Sequence, residues 1–393
     1  MNKAILNTDV QKYIRNNAQS DIVKISLSKS PFPSVSPKEL AQQLDGRKRI
    51  KSKLPQWYNT TSIYYPEKLA LEQCSSEITA GYKTGLIVGN KVIDLTGGFG
   101  VDASFFSQKA ENVSHCELNK ELSDISRQNA GTLGFAVNHF HGDGIEKLKL
   151  SDDVYDTIYI DPSRRLSSRK VYLLKDCEPN IVKEKELLFR KCKRLIIKAG
   201  PLLDLQSTIK ELGSVCEIHI LSIKNECKEV LYLIDEGSSE TDPPITCAVF
   251  NKNHAATFTF RASEESEFAL KQYSIPMAYL YEPDVALLKA GCFKLITKEY
   301  KVKKLHQHTH LYTSDSLQEN FIGRTFKVLA TWNYRSFVKQ QDFQKANIIC
   351  RNFPEDPDKI RKKLRINDGG VDYLLFCTGP DHELLVIHCD RLA

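Results

Sequence analysis

Between residues 63 and 235 the sequence alternates short apolar runs with polar segments of helical character, and this alternation constrains the fold more than any other feature. Apolar runs of strand length, separated by helices, are what a parallel sheet covered on both faces requires. The strand candidates are "KVIDLTGG" (91–98), "NVSHCELN" (112–119), "AVNHFHGD" (136–143), "YDTIYIDP" (155–162), "RLIIKAGP" (194–201), "VCEIHILSI" (215–223) and "EVLYLID" (229–235). Between them, "VDASFFSQKA", "ELSDISRQNAGTLG", "EPNIVKEKELLFRKC" and "LLDLQSTIKELG" read as helices. "KNECK" between the last two strands is short and polar, which fits a hairpin and makes the final strand antiparallel. The expectation is an α/β, Rossmann-like sheet of seven strands.

The flanks read differently. Residues 1–62 form a helical region in which "SPKELAQQL" carries a start signal, with Ser36 as N-cap, Pro37 in the first turn and Glu39 three residues after the cap. "GRKRIKSK" follows, with Arg47, Lys48, Arg49, Lys51 and Lys53, either a phosphate grip or a solvated helix end. "DEGSSETDPP" (235–244) is a linker by composition. Beyond it lies an α+β region expected as two units, 240–315 and 316–393. In it "EPDVALLKAG" and "DPDKIRKKLRI" read as helices, and "RTFKVLATWN", "DYLLFCTGP" and "ELLVIHCDRL" as strands.

A net charge of +6 over 393 residues permits a nucleic-acid partner without requiring one. The 11 cysteines include no CxxC pair, the opening "MNKAILNTDVQKYIRNN" is too polar for a signal peptide, and no run approaches membrane-span length, so a reduced, soluble, cytoplasmic protein is expected.

"DLTGGFGVD" (94–102) is the most informative motif. Its glycines let backbone approach a ligand closely. Asp94 ends the first strand, Glu117 the second and Asp143 the third, so three carboxylates face one crevice at the strand ends, where open α/β sheets bind ligands. An acid at Glu117 can accept from both ribose hydroxyls, and Asp143 from an adenine amine. An NAD-type Rossmann site shares the glycine loop. The acid positions, the "IDP" after the fourth strand and the closing hairpin favour S-adenosyl-L-methionine. Candidate cofactor-binding residues are Asp94, Thr96, Gly97, Gly98, Gly100, Asp102, Glu117 and Asp143.

Together these segments resemble a class I S-adenosylmethionine-dependent methyltransferase. With "DPSRR" and the ending "NFPEDPDKIRKKLRINDGGVDYLLFCTGPDHELLVIHCDRL", the chain resembles the Bacteroidetes-type methyltransferases that carry a C-terminal THUMP-like domain. That resemblance implies a small ferredoxin-like unit over about 240–315. "LEQCSSEITAGYK" (71–83) is similar to the segment that, in RNA cap guanine-N2 methyltransferases, folds over the cofactor's methionine end and the target base. Ser76, Glu77 and Ala80 occupy the matching positions; an amphipathic helix packed on the sheet is the alternative.

"YIDPSRR" (159–165) marks the reaction corner. An exocyclic amine has its lone pair delocalised into the ring, and a carboxylate and a proline carbonyl that accept its two protons localise that pair. Asp161 and Pro162 suit those roles. Ser163 stands where the family pattern has a second proline, and Arg164 where it has an aromatic ring. Arg164 could stack on a base, or with Arg165 clamp an anion, or Arg165 could pair with an acid and hold the loop. Tyr172, Trp57 or Tyr65 could supply the missing ring. The candidate catalytic residues are Asp161, Pro162, Ser163 and Arg164; the candidate substrate-binding residues are Glu77, Arg165 and Lys198. Cys177 lies ahead of a helix, where a structural role fits better than a nucleophile's.

"HQHTH" puts His306, His308 and His310 on one face of a possible strand. A metal site there lacks an acid or cysteine partner, and no metal is expected. "KVKKLHQHTH" and "DKIRKKLR" supply positive charge, and Tyr300, Tyr312 and Trp332 could add stacking. The leading expectation is methylation of a base in structured RNA, tRNA or rRNA. Two alternatives stand beside it: a methyltransferase for a small anionic molecule or a protein, and a non-catalytic docking module.

Overall fold

β1 (Lys91–Asp94) lies at the centre of a parallel sheet, between β2 (Asn112–Glu117) and β4 (Tyr155–Ile160). β3 (Val137–His141) pairs with β2, and β5 (Cys192–Ala199) with β4, all parallel. Val92, Ile93, Ile158, Ile160 and Leu195–Ile197 are fully buried, which is why these runs are apolar without alternation. Side-by-side register puts Asp94 opposite His115 and Tyr159, so the ends of three strands fall together.

The computed structural model describes residues 1–164, 173–251, 254–270 and 272–392, with the side chains of Arg164 and His254 outside that description. The chain forms two units, Met1–Cys216 with Leu231–Thr241, and Glu217–Val230 with Asp242–Ala393. It passes from one to the other within β7 (Glu226–Asp235), whose C-terminal half flanks β5 in the first unit. The turn into β7 is made by Lys224 and Asn225, both at positive φ (53° and 60°), the conformation a two-residue hairpin needs.

Residues 1–62 share one core with the rest of the first unit. Ile14, Leu40, Leu44 and Trp57 pack with Tyr64, Tyr65, Ala80, Phe99 and Ile125. The helix Pro37–Ile50 begins with the expected capping box: the Ser36 hydroxyl accepts from the Glu39 N–H at 3.2 Å, and the Glu39 carboxylate accepts from the Ser36 N–H at 2.7 Å. The basic cluster that follows is largely consumed inside the fold. Arg47 is buried and donates to the Tyr58 carbonyl at 2.6 Å, Arg49 pairs with Asp45, and Lys53 donates to the Leu71 and Glu72 carbonyls. Among the described residues, Lys48 and Lys51 of that cluster are exposed and make no such bond.

In the second unit β6 (Glu217–Ile223) is flanked by the N-terminal half of β7 and by β8 (Ile245–Asn251), which runs parallel to it; β9 (His254–Phe260) pairs antiparallel with β8. Within this unit β6 therefore has strand partners beyond residue 235, where the sequence reading ended the sheet. Ile218, Ile220 and Leu221 are fully buried, and such a strand needs a partner on its far edge.

A separate sheet contains β10 (Tyr279–Pro283), β11 (Tyr312–Ser314), β12 (Gly323–Asn333), β13 (Lys345–Arg351), β14 (Asn367–Thr378) and β15 (Leu384–Arg391), in the order β11-β10-β12-β15-β14-β13. β10 pairs antiparallel with both β11 and β12, so residue 316 lies within a stretch that one sheet spans. The buried Glu282 of β10 accepts from Arg324 Nε of β12 and Arg351 Nε of β13, each at 2.6 Å. Among the described residues no helix is long and apolar enough to cross a membrane.

Candidate active site

The glycine turn after β1 is tight for identifiable reasons. Gly98 and Gly100 have φ of +55° and +81°, which side-chain-bearing residues rarely adopt. A Cβ on Gly97 would sit 2.2 Å from the His115 imidazole, and one on Gly100 2.0 Å from Ser126 Oγ. The loop therefore rests directly on the second strand and its helix. His115 and His139 share the Ser126 hydroxyl at 3.4 and 3.0 Å. Burial pushes His115 down to about 3, with His139 adding to it, and burial pushes His139 down to about 4. Both imidazoles are thus neutral packing pieces beneath the turn.

The turn is stitched to the strand ends. Gly98 N–H donates to Glu117 Oε2 at 2.9 Å, and Asn119 N–H to Oε1 at 2.7 Å, so the Glu117 carboxylate is fixed in direction. Asp94 Oδ1 accepts from Thr96 N–H at 3.0 Å, and Thr96 Oγ1 accepts from Asp161 N–H at 2.7 Å. Asp143 caps the helix Gly144–Leu150, accepting from Ile145 N–H at 2.7 Å. A Cβ on Gly144 would lie 2.5 Å from the Leu95 carbonyl, so that helix start abuts the end of β1. The outer side of the turn is open: a Cβ on Gly98 would meet nothing nearer than the Thr96 carbonyl at 3.9 Å.

Beneath these groups lies a buried ionic network that sequence reasoning did not anticipate. Lys83, with no exposed surface, places its ammonium 2.8 Å from Asp102 Oδ1 and 2.7 Å from Ser75 Oγ. Asp102 Oδ2 also accepts from Ser75 Oγ at 2.7 Å and from the Tyr159 hydroxyl at 3.0 Å. Burial works to raise the Asp102 pKa, but Lys83, then Lys198, and the hydrogen bonds of Lys83 and Ser75 hold it below the usual value. Asp94 is raised well above the carboxylate range by burial, with Asp102 adding to it. Asp102 thus organises the helix Glu77–Leu86, the helix Val101–Phe106 and β4 from below the turn. The available signal was a lysine within the mostly apolar "EITAGYKTGL", four residues after the buried Thr79.

At the reaction corner Lys198, at the end of β5, forms an ion pair with the Asp161 carboxylate. Burial raises the Asp161 pKa and Lys198 opposes it. Pro162 follows, and Ser163–Arg164 makes a two-residue antiparallel bridge with Cys177–Glu178, Ser163 Oγ donating to the Glu178 carbonyl at 3.4 Å. Arg165 and Tyr172, like the Arg164 side chain, lie outside the described residues. Trp57 and Tyr65 are 1% and 2% exposed, so neither is available to stack on a base. Glu77 is also engaged: its carboxylate accepts from Gln56 N–H at 2.6 Å at the start of the short helix Pro55–Asn59, which competes with any substrate role.

The expected strand for "HQHTH" is not formed. Within that segment His306 is buried, His308 exposed and His310 stacked on Phe293 at 3.9 Å. Tyr312 is buried too, and Trp332 stacks on His388. Among the described residues no group of histidines, cysteines and acids is arranged to hold a metal.

The strand order β3-β2-β1-β4-β5-β7, closed by the β6–β7 hairpin and with acids at the strand ends around a glycine turn, defines a class I methyltransferase fold. Residues 279–321 match the ferredoxin-like domain family and residues 323–391 the THUMP domain-like family. A crystal structure of a candidate methyltransferase from Porphyromonas gingivalis W83 aligns with 100% of this chain and 99% of its own, at 32% identity and a TM-score of 0.87. The chain belongs to the family of that Porphyromonas gingivalis protein. The tRNA (uracil-54, C5)-methyltransferase of Pyrococcus abyssi, solved with S-adenosyl-L-homocysteine, aligns over 43% of this chain and 38% of its own, at 16% identity and a TM-score of 0.31. No curated protein matched the sequence.

Proposed function

We propose that this protein transfers the methyl group of S-adenosyl-L-methionine to an exocyclic amine of a base in structured RNA. The observation that carries the reading is the stitching of Asp94, Glu117 and Asp161 around one open glycine turn. The open side of Gly98 and the fixed carboxylate of Glu117 fit a nucleoside whose ribose hydroxyls donate to an acid. In this reading Glu117 takes both hydroxyls, Asp143 takes the adenine amine with the oxygen left after capping, and Thr96, Gly97, Gly98 and Gly100 line the approach. Asp94 and Asp102 hold the turn from beneath. S-adenosyl-L-methionine, when bound, supplies a methyl group already activated by a sulfonium.

The chain's own task is then positioning. Asp161 and the Pro162 carbonyl accept the two amine protons and direct the lone pair outward. Lys198 opposes protonation of Asp161. The THUMP domain-like match supports RNA as the carrier of the base. Asp161→Ala, which removes the acceptor, should retain donor binding and lose transfer by more than ~100-fold. Transfer at the wild-type rate in that variant would mean that the reaction corner lies elsewhere.

A further inference from the structure

Three imidazoles from two parts of the second unit meet without a carboxylate among them. His306, in the loop after the Lys303–Lys304 bridge, has its ring 4.8 Å from His382 and 5.8 Å from His308. His382 sits at the tip of the β14–β15 turn at φ +59°, and His308 is exposed. Asn352, after β13, closes the group: its amide lies 3.3 Å from His306 Nδ1 and 3.2 Å from Thr309 Oγ1. The Thr309 hydroxyl holds the frame by donating to the Thr378 carbonyl at 2.7 Å.

The tautomer follows from these bonds. His306 Nδ1 accepts from the His308 N–H at 3.1 Å, so a neutral His306 carries its proton on Nε2. That N–H makes no hydrogen bond among the described residues. Burial, then His382, His308 and Lys304, keep the His306 pKa low, and Lys304 itself is lowered to about 8 by burial. The charged groups facing the cluster are these cations, with Glu265 acting on Lys304 and the exposed Asp381 and half-buried Glu383 beside His382 in sequence. Arg351, next to Asn352, is already paired with Glu282, and Glu355 with Lys363. Lys301 and Lys303 are exposed on the same stretch of chain. Imidazoles this close, on a stretch that also carries Lys301 and Lys303, match one ligand chemistry, a phosphate oxyanion, which offsets the repulsion between protonated rings and accepts their hydrogen bonds.

We propose that His306, His308 and His382, framed by Asn352, form a phosphate-binding site that grips a backbone phosphodiester of the RNA substrate. The site rests on the RNA reading of the function. Bound phosphate favours protonated imidazole, so affinity rises as pH falls from 8 to 6, by at most about tenfold per pH unit for each proton taken up.

The test is fluorescence anisotropy of a labelled RNA hairpin at pH 6, 7 and 8, with the wild type and His308→Gln/His382→Gln. Both substituted residues are exposed, so the fold is kept. In parallel, inorganic phosphate is titrated while the histidine Cε1–H resonances are followed by NMR. The expected result is a pH-dependent RNA affinity that the variant weakens about fivefold or more at pH 6 and flattens, together with phosphate-induced upward shifts of the imidazole titrations. Equal RNA binding by variant and wild type at every pH would overturn the site and leave the RNA reading standing. Phosphate-shifted titrations without any RNA binding would support the site as a phosphate site and remove RNA as its source. No phosphate response and no RNA binding would overturn both.

Discussion

Removing the Lys83 ammonium should cost more stability than any other single substitution near the site. Lys83 is fully buried and pairs with Asp102, whose remaining partners are the Ser75 and Tyr159 hydroxyls. Lys83→Met keeps the length and apolar stem of the side chain and deletes the charge. A carboxylate left buried beside two hydroxyls is expected to cost about 3–5 kcal/mol. The penalty has a pH signature. In the wild type the Asp102 pKa is depressed, so its contribution is present above the unfolded carboxylate value and fades as pH falls through the folded one. In the variant the same carboxyl is raised by burial, so protonation relieves it. The gap between the proteins should be widest at pH 7 and shrink below about pH 5. Urea unfolding followed through the fluorescence of Trp57, which lies in the same unit, reads this directly. Lys83→Met/Asp102→Leu should recover much of the loss. A deficit under ~1 kcal/mol at pH 7, or one that does not change with pH, would refute the claim that this pair anchors the glycine turn.

Three other outcomes are expected. Glu117→Ala should weaken S-adenosyl-L-methionine binding by about 1.5–3 kcal/mol in calorimetry, the range for a hydrogen bond to a charged group; unchanged affinity would remove Glu117 from the site. Gly97→Ala should destabilise the protein by about 1–3 kcal/mol in thermal melts, because its Cβ would fall 2.2 Å from the His115 ring, and an unaltered Tm would show that the turn is looser than described. The depressed pKa values of His115 and His139, about 3 and 4, mean that the unfolded chain takes up protons first as pH falls below the ordinary histidine value, so stability should decline from about pH 6.5 downward. His115→Gln should be less stable at pH 7 and show a shallower decline; a decline as steep as the wild type's would assign the effect to other groups.

The catalytic sheet was legible because its signals are local. Buried parallel strands announce themselves as continuous apolar runs, and the acids at Asp94, Glu117 and Asp161 end those runs. The capping box at Ser36 is equally local. What was not legible depends on partners distant in sequence. Lys83 meets Asp102 across a helix and a strand, and the mostly apolar setting of "EITAGYKTGL" hints at burial without naming the partner. Arg47 and Lys53 look like a basic surface until their carbonyl partners are known. The pairing of β8 with β6 was not legible because it is set by the buried edge of β6, which its own sequence does not reveal. The histidines of "HQHTH" alternate as strand residues would, yet the chain leaves extended pairing after Lys304, and His306 finds its neighbour in a turn 76 residues further on.

Methyl transfer to RNA is open to a direct assay. Purified protein with methyl-labelled S-adenosyl-L-methionine is offered, separately, total RNA, DNA and a protein-plus-metabolite extract from cells lacking the gene. Label is expected in an RNA size class, recovered after digestion on the exocyclic amine of a nucleoside. Label confined to protein or small molecules, or no label despite measured donor binding, would contradict it.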